Sequence, residues 1–306
     1  MIVVGGEALV DLVIDPRGGV TAKLGGGPFN SARTIGRLGG DVAFLGVLSL
    51  DRFGTQLAER LRADHVGDQL VQFTERPTTL AAAELDASGS ASYRFYIADT
   101  SSPALSPASL PPSMRVLHVG TLGMVLEPMA TVLEQCVRQV ADDVLVLLDP
   151  NCRPRITPDR PGYLARLQRL LRRADIVKVS TDDLEFMHPG DVAGAVQWLL
   201  DGGARVVLHT DGGSSVHVHT GGRVIDVPVP KVEVADTIGA GDSFGGAVAA
   251  WWDEAGLGRH DLDRTDALIA AVTAAVEVAA VNCTHVGAEP PWRQELGDRW
   301  RPAAPV

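Results

Sequence analysis

The feature that most constrains the fold of this 306-residue chain is a regular alternation of short β-branched runs with longer segments of helical period. Gly, Pro or Asp bound the apolar runs, which is typical of strands buried on both faces of a parallel sheet. Leucines recur at helical spacing in residues 163–173, and residues 193–200 repeat this pattern. The alternation predicts an α/β protein built on a mostly parallel sheet. The predicted strands are Ile2–Val4, Ala43–Val47, Val116–Val119, Val144–Leu148, Ile176–Val179 and Val206–His209.

Two segments, residues 12–24 and 70–97, depart from this alternation. Apolar residues there recur at every second position, and turn residues interrupt them at 17–19 and 86–89. Period-two patterning around Gly-containing turns predicts β-hairpins. We therefore expect a small sheet that projects from the main body. Because no Ser/Gly-rich linker divides the chain, we expect a single domain over residues 1–306.

Charge and cysteine content restrict the classes of partner. The chain carries 27 Lys and Arg against 38 Asp and Glu, a net charge of −11. Its field repels polyanions, so neither nucleic acid nor an anionic membrane surface is an expected partner. Three separated cysteines without CxxC spacing favour a reduced, cytoplasmic location over a disulfide framework. We expect neither a signal peptide nor a membrane-spanning segment.

The strongest motif is Asp236-Thr-Ile-Gly-Ala-Gly-Asp-Ser-Phe244, which precedes a segment of helical character. Gly239 and Gly241 allow close approach to the backbone, and the N–H groups at a helix start can bind an anion. Asp242 lies at the same positive end, where a carboxylate stays ionised and can accept a proton from a hydroxyl. These parts suit phosphoryl transfer. The alternative interpretation is an ordinary Gly-rich helix start with Asp242 as its N-cap.

A second motif, Gly25-Gly-Gly-Pro-Phe-Asn-Ser-Ala32, also precedes a predicted helix. Pro28 suits the first helical position, and Gly39 suits the C-terminal end. The three glycines leave room for a polar ligand on the backbone. Asn30 could then both donate to and accept from a ligand hydroxyl. The alternative is an ordinary turn between a strand and a helix.

Together, residues 25–54 and 236–244 resemble the two signatures of the ribokinase-like carbohydrate kinases, the phosphofructokinase-B family. Residues 5–11 and 149–153 are most similar to the fructokinase and 2-keto-3-deoxygluconate kinase branch. The resemblance implies a three-layer α/β/α sandwich with a mostly parallel central sheet. It also implies a small β-sheet lid, here residues 12–24 and 70–97, which closes over the sugar. The implied activity is transfer of the γ-phosphoryl group of ATP to a sugar hydroxyl, with fructose as the expected acceptor.

Carried over position by position, the resemblance implies a role for each site residue. Asp242 would be the general base, and the backbone of Gly239, Ala240 and Gly241 would be the anion hole. The expected cofactors are ATP and Mg²⁺, with K⁺ bound through the backbone carbonyls of Asp236 and Ile238. The resemblance also admits a homodimer formed through the lid. The sugar-binding residues would be Asp11, Gly26, Gly27, Asn30, Phe95 and Arg153, and those on the nucleotide side Thr210, Gly212, Gly213, Asp183 and Cys283.

The chain departs from the family pattern at three places. The Asn-x-x-Glu motif tied to magnesium becomes Ser180-Thr-Asp-Asp183, and the last Gly of the nucleotide-side motif becomes Ser215. Ile97 stands where many members of the branch carry an arginine. Without that arginine an acidic sugar would lose a partner for its carboxylate, which weakens the case for such a substrate. The alternatives that remain are a 2-keto-3-deoxygluconate kinase, a ribokinase, a nucleoside kinase and a sugar-sensing protein without catalysis.

Overall fold

Each predicted strand is present. The computed structural model describes residues 1–85 and 91–302. The strands in these residues are β1 (Ile2–Gly5), β2 (Leu9–Ile14), β3 (Val20–Gly25), β4 (Val42–Ser49), β5 (Val71–Thr74), β6 (Leu80–Leu85), β7 (Ala91–Tyr96), β8 (Val116–Gly120), β9 (Leu145–Asp149), β10 (Ile176–Ser180), β11 (Val206–Asp211), β12 (Ser215–Thr220) and β13 (Arg223–Pro228).

Helices fill most connections between the strands. The helical periodicity at 163–173 and 193–200 correctly predicts two of them. The first begins earlier than predicted, at Arg160, because the Asp159 side chain accepts the Gly162 N–H and caps the helix there. The α-helices in the described residues are α1 (Gly27–Arg37), α2 (Arg52–Ala63), α3 (Met129–Gln139), α4 (Arg160–Leu171), α5 (Thr181–Met187), α6 (Val192–Asp201), α7 (Ala240–Glu254), α8 (Thr265–Cys283) and α9 (Arg293–Leu296).

The large sheet has the strand order β13-β12-β11-β10-β9-β8-β1-β4-β5. Its strands pair in parallel from β5 to β11, and β12 and β13 add an antiparallel hairpin at one edge. Apolar side chains from α1, α2, α7 and α8 cover one face, and those from α3 to α6 cover the other. This arrangement confirms the three-layer α/β/α sandwich. It also explains why the central strands are apolar on both faces.

A separate sheet of four strands has the order β3-β2-β6-β7. It contains two antiparallel hairpins, β2–β3 and β6–β7, whose inner strands pair in parallel. The prediction that this sheet includes everything from residue 70 was wrong in part. Strand β5 instead pairs with β4 at the edge of the large sheet, where its hydrogen bonds extend the parallel ladder. The predicted turn at 86–89 lies outside the described residues.

Helix α8 is long and apolar enough to cross a membrane when it is judged by length and composition alone. In the fold it packs against α7 and against strands β12 and β13. Its buried residues include Leu268, Val272 and Val276, which recur at helical spacing. Core helices of this length pass the same test, so its apolar character is accounted for by packing.

Candidate active site

The carboxyl ends of the parallel strands meet at one edge of the large sheet. In α/β proteins this edge is where ligands bind. The first residues beyond β1, β8 and β9 are polar or small, and the same is true at the ends of β10 and β11. The polar residues at or just beyond these strand ends include Glu7, Thr121, Asp149, Asn151, Ser180, Thr210 and Asp211.

Asn30 and Asp242, which are 212 residues apart in the chain, are joined by a hydrogen bond at this edge. The Asn30 Nδ2 donates to Asp242 Oδ2 at 2.9 Å, and the Ser31 hydroxyl donates to the Asp242 backbone carbonyl at 3.0 Å. Asn30 is 4% exposed, and its Oδ1 has no hydrogen-bond partner within the described residues. A buried acceptor without a partner is costly unless a ligand satisfies it. The two motifs therefore form one site that leaves an acceptor free for a hydroxyl.

Helix α7 begins at this site with an unusual backbone. Gly239 has φ = 77°, in the left-handed region that favours glycine, and the helix starts at the next residue. The first N–H groups of a helix lack partners within it and carry partial positive charge. A Cβ on Gly239 would lie 2.6 Å from Ala288 Cβ. The turn is thus a backbone cradle suited to a phosphate group. The Ala240 N–H in it donates to the Thr237 carbonyl at 3.3 Å.

The loop that packs on Gly239 is anchored by two buried arginines of α1. Arg33 Nη1 donates to the Ala288 carbonyl at 2.7 Å, and Arg37 Nη1 donates to the Pro290 carbonyl at 2.6 Å. Both arginines also contact Glu289 and Asp64. Because these buried contacts fix the loop from behind, the loop cannot easily retreat from the cradle.

Glu7 supports the Gly-rich segment before α1. Its two carboxyl oxygens accept hydrogen bonds from the Gly27 N–H at 3.1 Å and the Gly123 N–H at 3.2 Å. Gly26 has φ = 114°, and a Cβ there would lie 2.7 Å from the Glu7 carbonyl. Gly26, predicted to bind sugar, is therefore required by the close approach of this segment to the loop after β1.

Asp11 and Phe95 lie on one face of the small sheet. Asp11 is opposite Lys23 on one side and Ala81 on the other, and Ala81 is opposite Phe95. Residues directly opposite each other share a face, so these four side chains form a row. Asp11 is close enough to Asp242 for the two carboxylates to interact electrostatically. The row therefore faces the site formed by α1 and α7.

The site concentrates buried carboxyl groups. Burial raises the pKa of Glu7 to about 8, and burial together with Asp242 raises the pKa of Asp11 to about 6. Burial raises the pKa of Asp149 as well, and its partner Lys178 opposes that shift. Burial also raises the pKa of Asp242 above its ordinary value, while Asn30 and the nearby cations oppose the shift. A raised pKa suits a carboxylate that must accept a proton near neutral pH. The cations that oppose these shifts are Lys23, Lys178 and Arg153.

The protonation of Glu7 predicts how stability depends on pH. Because burial raises its pKa from the ordinary value of 4.5 to about 8, the folded protein holds a proton there that the unfolded chain has released. The free energy of unfolding should therefore fall as the pH rises through this window. We expect Glu7→Gln to flatten that fall by up to about 1.4 kcal/mol per pH unit, measured by urea unfolding at a series of pH values. The exposed Glu59→Gln should keep the original slope, and an unchanged slope in Glu7→Gln would contradict the assignment.

Sequence reasoning missed three groups beneath the cradle, which are His118, Asp149 and Lys178. Lys178 Nζ donates to the two Asp149 carboxyl oxygens at 3.1 and 3.3 Å, and all three side chains are buried. His118 lies against α7, where a Cβ on Gly245 would be 3.2 Å from its Cε1. The available signal was a charged or polar residue inside an otherwise apolar strand, as in Ile176-Val-Lys-Val179.

Thr121 and Asn151 are strained at the same edge. Both have positive φ values, 52° and 39°, which are uncommon for residues with a Cβ. Asn151 Nδ2 donates to Thr121 Oγ1 at 3.2 Å, and that hydroxyl would lie 2.4 Å from a Cβ on Gly27. Strained residues of this kind cluster at functional sites.

The structure changes the interpretation of Asp183. Its carboxylate closes a capping box with Ser180 at the start of α5, and its Oδ1 accepts the Cys152 N–H at 2.6 Å. At 3% exposure, with both oxygens engaged, it is committed to backbone and hydroxyl donors. Asp183, which was predicted on the nucleotide side, therefore uses its carboxylate for three hydrogen bonds within the protein and has little capacity left to bind a metal ion directly. Within residues 1–85 and 91–302, no group of three or more His, Cys, Asp and Glu side chains could hold a metal ion.

The other residues predicted on the nucleotide side lie in two places. Thr210 is near the end of β11, and Gly212 and Gly213 form the turn into β12, where an added Cβ would meet open space among the described residues. Cys283 ends α8, and its carbonyl accepts the N–H groups of Ala235 and Asp236. Cys283 therefore supports the loop that leads to the cradle.

Asp236 and Ile238 belong to the loop that precedes the cradle. The Asp236 side chain accepts the N–H of Ile238 at 3.0 Å and that of Gly287 at 2.9 Å, which joins this loop to the one carrying Ala288. The Ile238 carbonyl accepts a hydrogen bond from Asn282 Nδ2 at 2.9 Å. A carbonyl has two lone pairs, so one remains for a cation.

Comparison with known proteins gives consistent matches. Residues 1–295 match the model of the pfkB family of carbohydrate kinases. A fructokinase from Rhizobium leguminosarum bv. trifolii is 35% identical over 260 residues, which are 82% of this chain and 79% of that protein.

Solved structures match over nearly the whole chain. The ATP-bound fructokinase of Xylella fastidiosa superposes with a TM-score of 0.87 at 28% identity, covering 94% of this chain and 93% of that one. A fructokinase from Vibrio cholerae O395 with fructose, ADP and calcium gives 0.83 at 26% identity, covering 94% of each chain. A double mutant of a Vibrio cholerae O395 fructokinase, with fructose, ADP and potassium, gives 0.83 at 25% identity, covering 94% and 93%.

Proposed function

Because the chain belongs to the pfkB family of carbohydrate kinases, we propose that this sugar kinase transfers the γ-phosphoryl group of ATP to a primary hydroxyl of fructose. The observation that carries the proposal is the contact between Asn30 and Asp242 beside the cradle at Gly239. That contact places a base, a hydroxyl-binding amide and an anion site together. The fructokinase relatives support fructose as the acceptor.

Asp242 takes the proton in the proposed reaction. Its Oδ2 is held by Asn30 Nδ2, and the acceptor hydroxyl would donate to the carboxylate. As the hydroxyl oxygen bonds to the γ-phosphorus, the bond from that phosphorus to the β,γ-bridging oxygen breaks and the proton passes to Asp242. The N–H groups at the start of α7 stabilise the charge on the transferred group. Mg²⁺, when bound, would supply further neutralisation of phosphate charge, and Asp183, whose carboxylate already accepts three hydrogen bonds from the protein, would reach it through water.

The polar groups around the sugar position suit a neutral polyol. Asn30 Oδ1 is a buried acceptor without a partner in the described part of the chain, and Asp11 supplies a second acceptor. Phe95 shares the Asp11 face and can cover an apolar side of the sugar. Arg153 is exposed beside Asp11 and Asp242, where it can meet either the sugar or the triphosphate. Closure of the small sheet as a lid would exclude water from this space.

An ADP-release assay against a sugar panel tests the proposed function. The panel is fructose, 2-keto-3-deoxygluconate, ribose, adenosine and tagatose 6-phosphate, each with and without potassium. We expect the highest kcat/KM for fructose and a higher rate with potassium, because the Ile238 carbonyl keeps a lone pair beside the cradle and Asp236 lies in the same loop. A higher kcat/KM for another acceptor would identify that acceptor, and not fructose, as the substrate. Binding of a sugar without turnover of any acceptor would favour a sugar-sensing protein.

We also infer a homodimer formed through the small sheet. The face opposite Asp11 exposes apolar side chains, including Val20 at 59% and Tyr96 at 51%. Exposed apolar surface on a sheet is typical of an interface between chains. Light scattering should give twice the chain mass of 32.3 kDa, and a monomer mass would contradict the inference.

A further inference from the structure

A buried ion pair lies beneath the cradle and requires an explanation. Lys178 on β10 and Asp149 on β9 are 4% and 3% exposed, and they face the same helix layer as the apolar Leu147 and Ile176. Burying two charged side chains costs more free energy of desolvation than burying two apolar side chains of similar size. Stability alone therefore does not account for a lysine at this position.

The ammonium group lies against the first turn of α7. A Cβ on Gly241 would be 2.8 Å from Lys178 Nζ, and a Cβ on Gly245, one turn later, would be 3.9 Å from Asp149 Oδ2. These two glycines let the helix descend onto the ion pair. The Cβ direction of Gly241 thus points towards Lys178, so Gly241→Val would first displace the lysine.

The charges around Lys178 keep it a cation. Asp149, Asp183 and Asp242 all face it, and together they raise its pKa in spite of burial. The remaining neighbour with a titratable ring is His118, whose pKa burial and Lys178 lower to about 3, so that it stays neutral. A fixed positive charge therefore lies directly below the backbone that is proposed to bind the transferred phosphoryl group.

We propose that Lys178, seated on Asp149, is a positioning residue for phosphoryl transfer that supports Gly241 and Asp242 from below and adds positive charge beneath the anion hole. The inference rests on the proposed function. Donors and charges fixed before reaction stabilise a transition state without reorganisation. A small displacement of the cradle would therefore reduce the rate more than it reduces sugar binding.

The variant Lys178→Met tests this role. We expect kcat with fructose to fall by about 10- to 100-fold while the KM for fructose stays within about threefold. The double variant Lys178→Met/Asp149→Asn removes the uncompensated charge, so its Tm should recover while its kcat stays low. Recovery of wild-type kcat in the double variant would overturn the proposal, because Lys178 would then serve only to neutralise Asp149. The double variant also keeps the test decisive if the single variant does not fold.

The pH profile distinguishes positioning from a purely structural role. Lys178 lowers the pKa of Asp242, so its loss should move the acid limb of kcat/KM to higher pH in Lys178→Met. Arg173, which pairs with the buried Asp175 at the opposite edge of the sheet, provides the control. Arg173→Met should lower Tm and leave kcat and the acid limb unchanged. If the wild type is active and Lys178→Met keeps its full kcat, this inference is refuted and the proposed function stands. If the wild type is inactive on every sugar, the proposed function itself is refuted.

Discussion

Replacing Asp242 by Asn is expected to lower kcat for fructose by about 10²- to 10⁴-fold, because the amide cannot accept the proton of the acceptor hydroxyl. The KM for fructose should change by no more than about threefold, since Asn keeps the size of the side chain and its contact with Asn30. Steady-state rates from ADP release measure both quantities.

Asp253→Asn is the matched control for this variant. Asp253 lies in the same helix, 17% exposed, and pairs with Arg115 at 2.8 Å far from the cradle. Its loss should cost stability and leave kcat intact. Wild-type kcat in Asp242→Asn would show that Asp242 is not the base. An equal loss of kcat in Asp253→Asn would show that the loss comes from damage to the helix.

Gly239→Ala is expected to lower kcat by about 10²-fold, the effect of losing one donor to the developing charge. The residue has φ = 77°, and its new Cβ would lie 2.6 Å from Ala288 Cβ. Because Arg33 holds the Ala288 carbonyl from behind, the cradle rather than the loop should shift. Single-turnover rates at saturating ATP and fructose measure this loss.

Gly190→Ala separates backbone strain from displacement of the cradle. Gly190 has the same φ of 77°, and a Cβ there would meet open space among the described residues. Both variants carry the left-handed strain of about 1–2 kcal/mol. We expect Gly190→Ala to lose stability while keeping full activity. Equal activity of the two variants would contradict the anion hole at Gly239.

Local pattern was sufficient for most of the large sheet. Buried parallel strands are apolar on both faces, so runs such as Val144–Leu148 predict strands without knowledge of their neighbours. Strand β5 was assigned wrongly because Val71–Thr74 alternates in polarity, which is also the pattern of a hairpin strand. Its pairing with β4 depends on contacts between distant segments, and local periodicity does not encode them.

The site was predictable where function constrains the backbone. The glycines at 239 and 241 marked the cradle, but the contact of Asn30 with Asp242 spans 212 residues and follows only from the packing of α1 on α7. The ion pair of Lys178 and Asp149 was missed because a charged residue within a strand does not indicate which residue on another strand it pairs with. The capping role of Asp183 was readable, since Ser-x-x-Asp before an apolar residue is close to a capping-box pattern.

Identification of the product tests the central claim most directly. The wild-type protein, with fructose, ATP and Mg²⁺, would be followed by phosphorus NMR until ATP is consumed. The account predicts one fructose monophosphate, formed in equal amount to ADP, with its phosphorus coupled to the two protons of a primary carbon. ATP consumed without a sugar phosphate, or no consumption with any sugar of the panel, would contradict it.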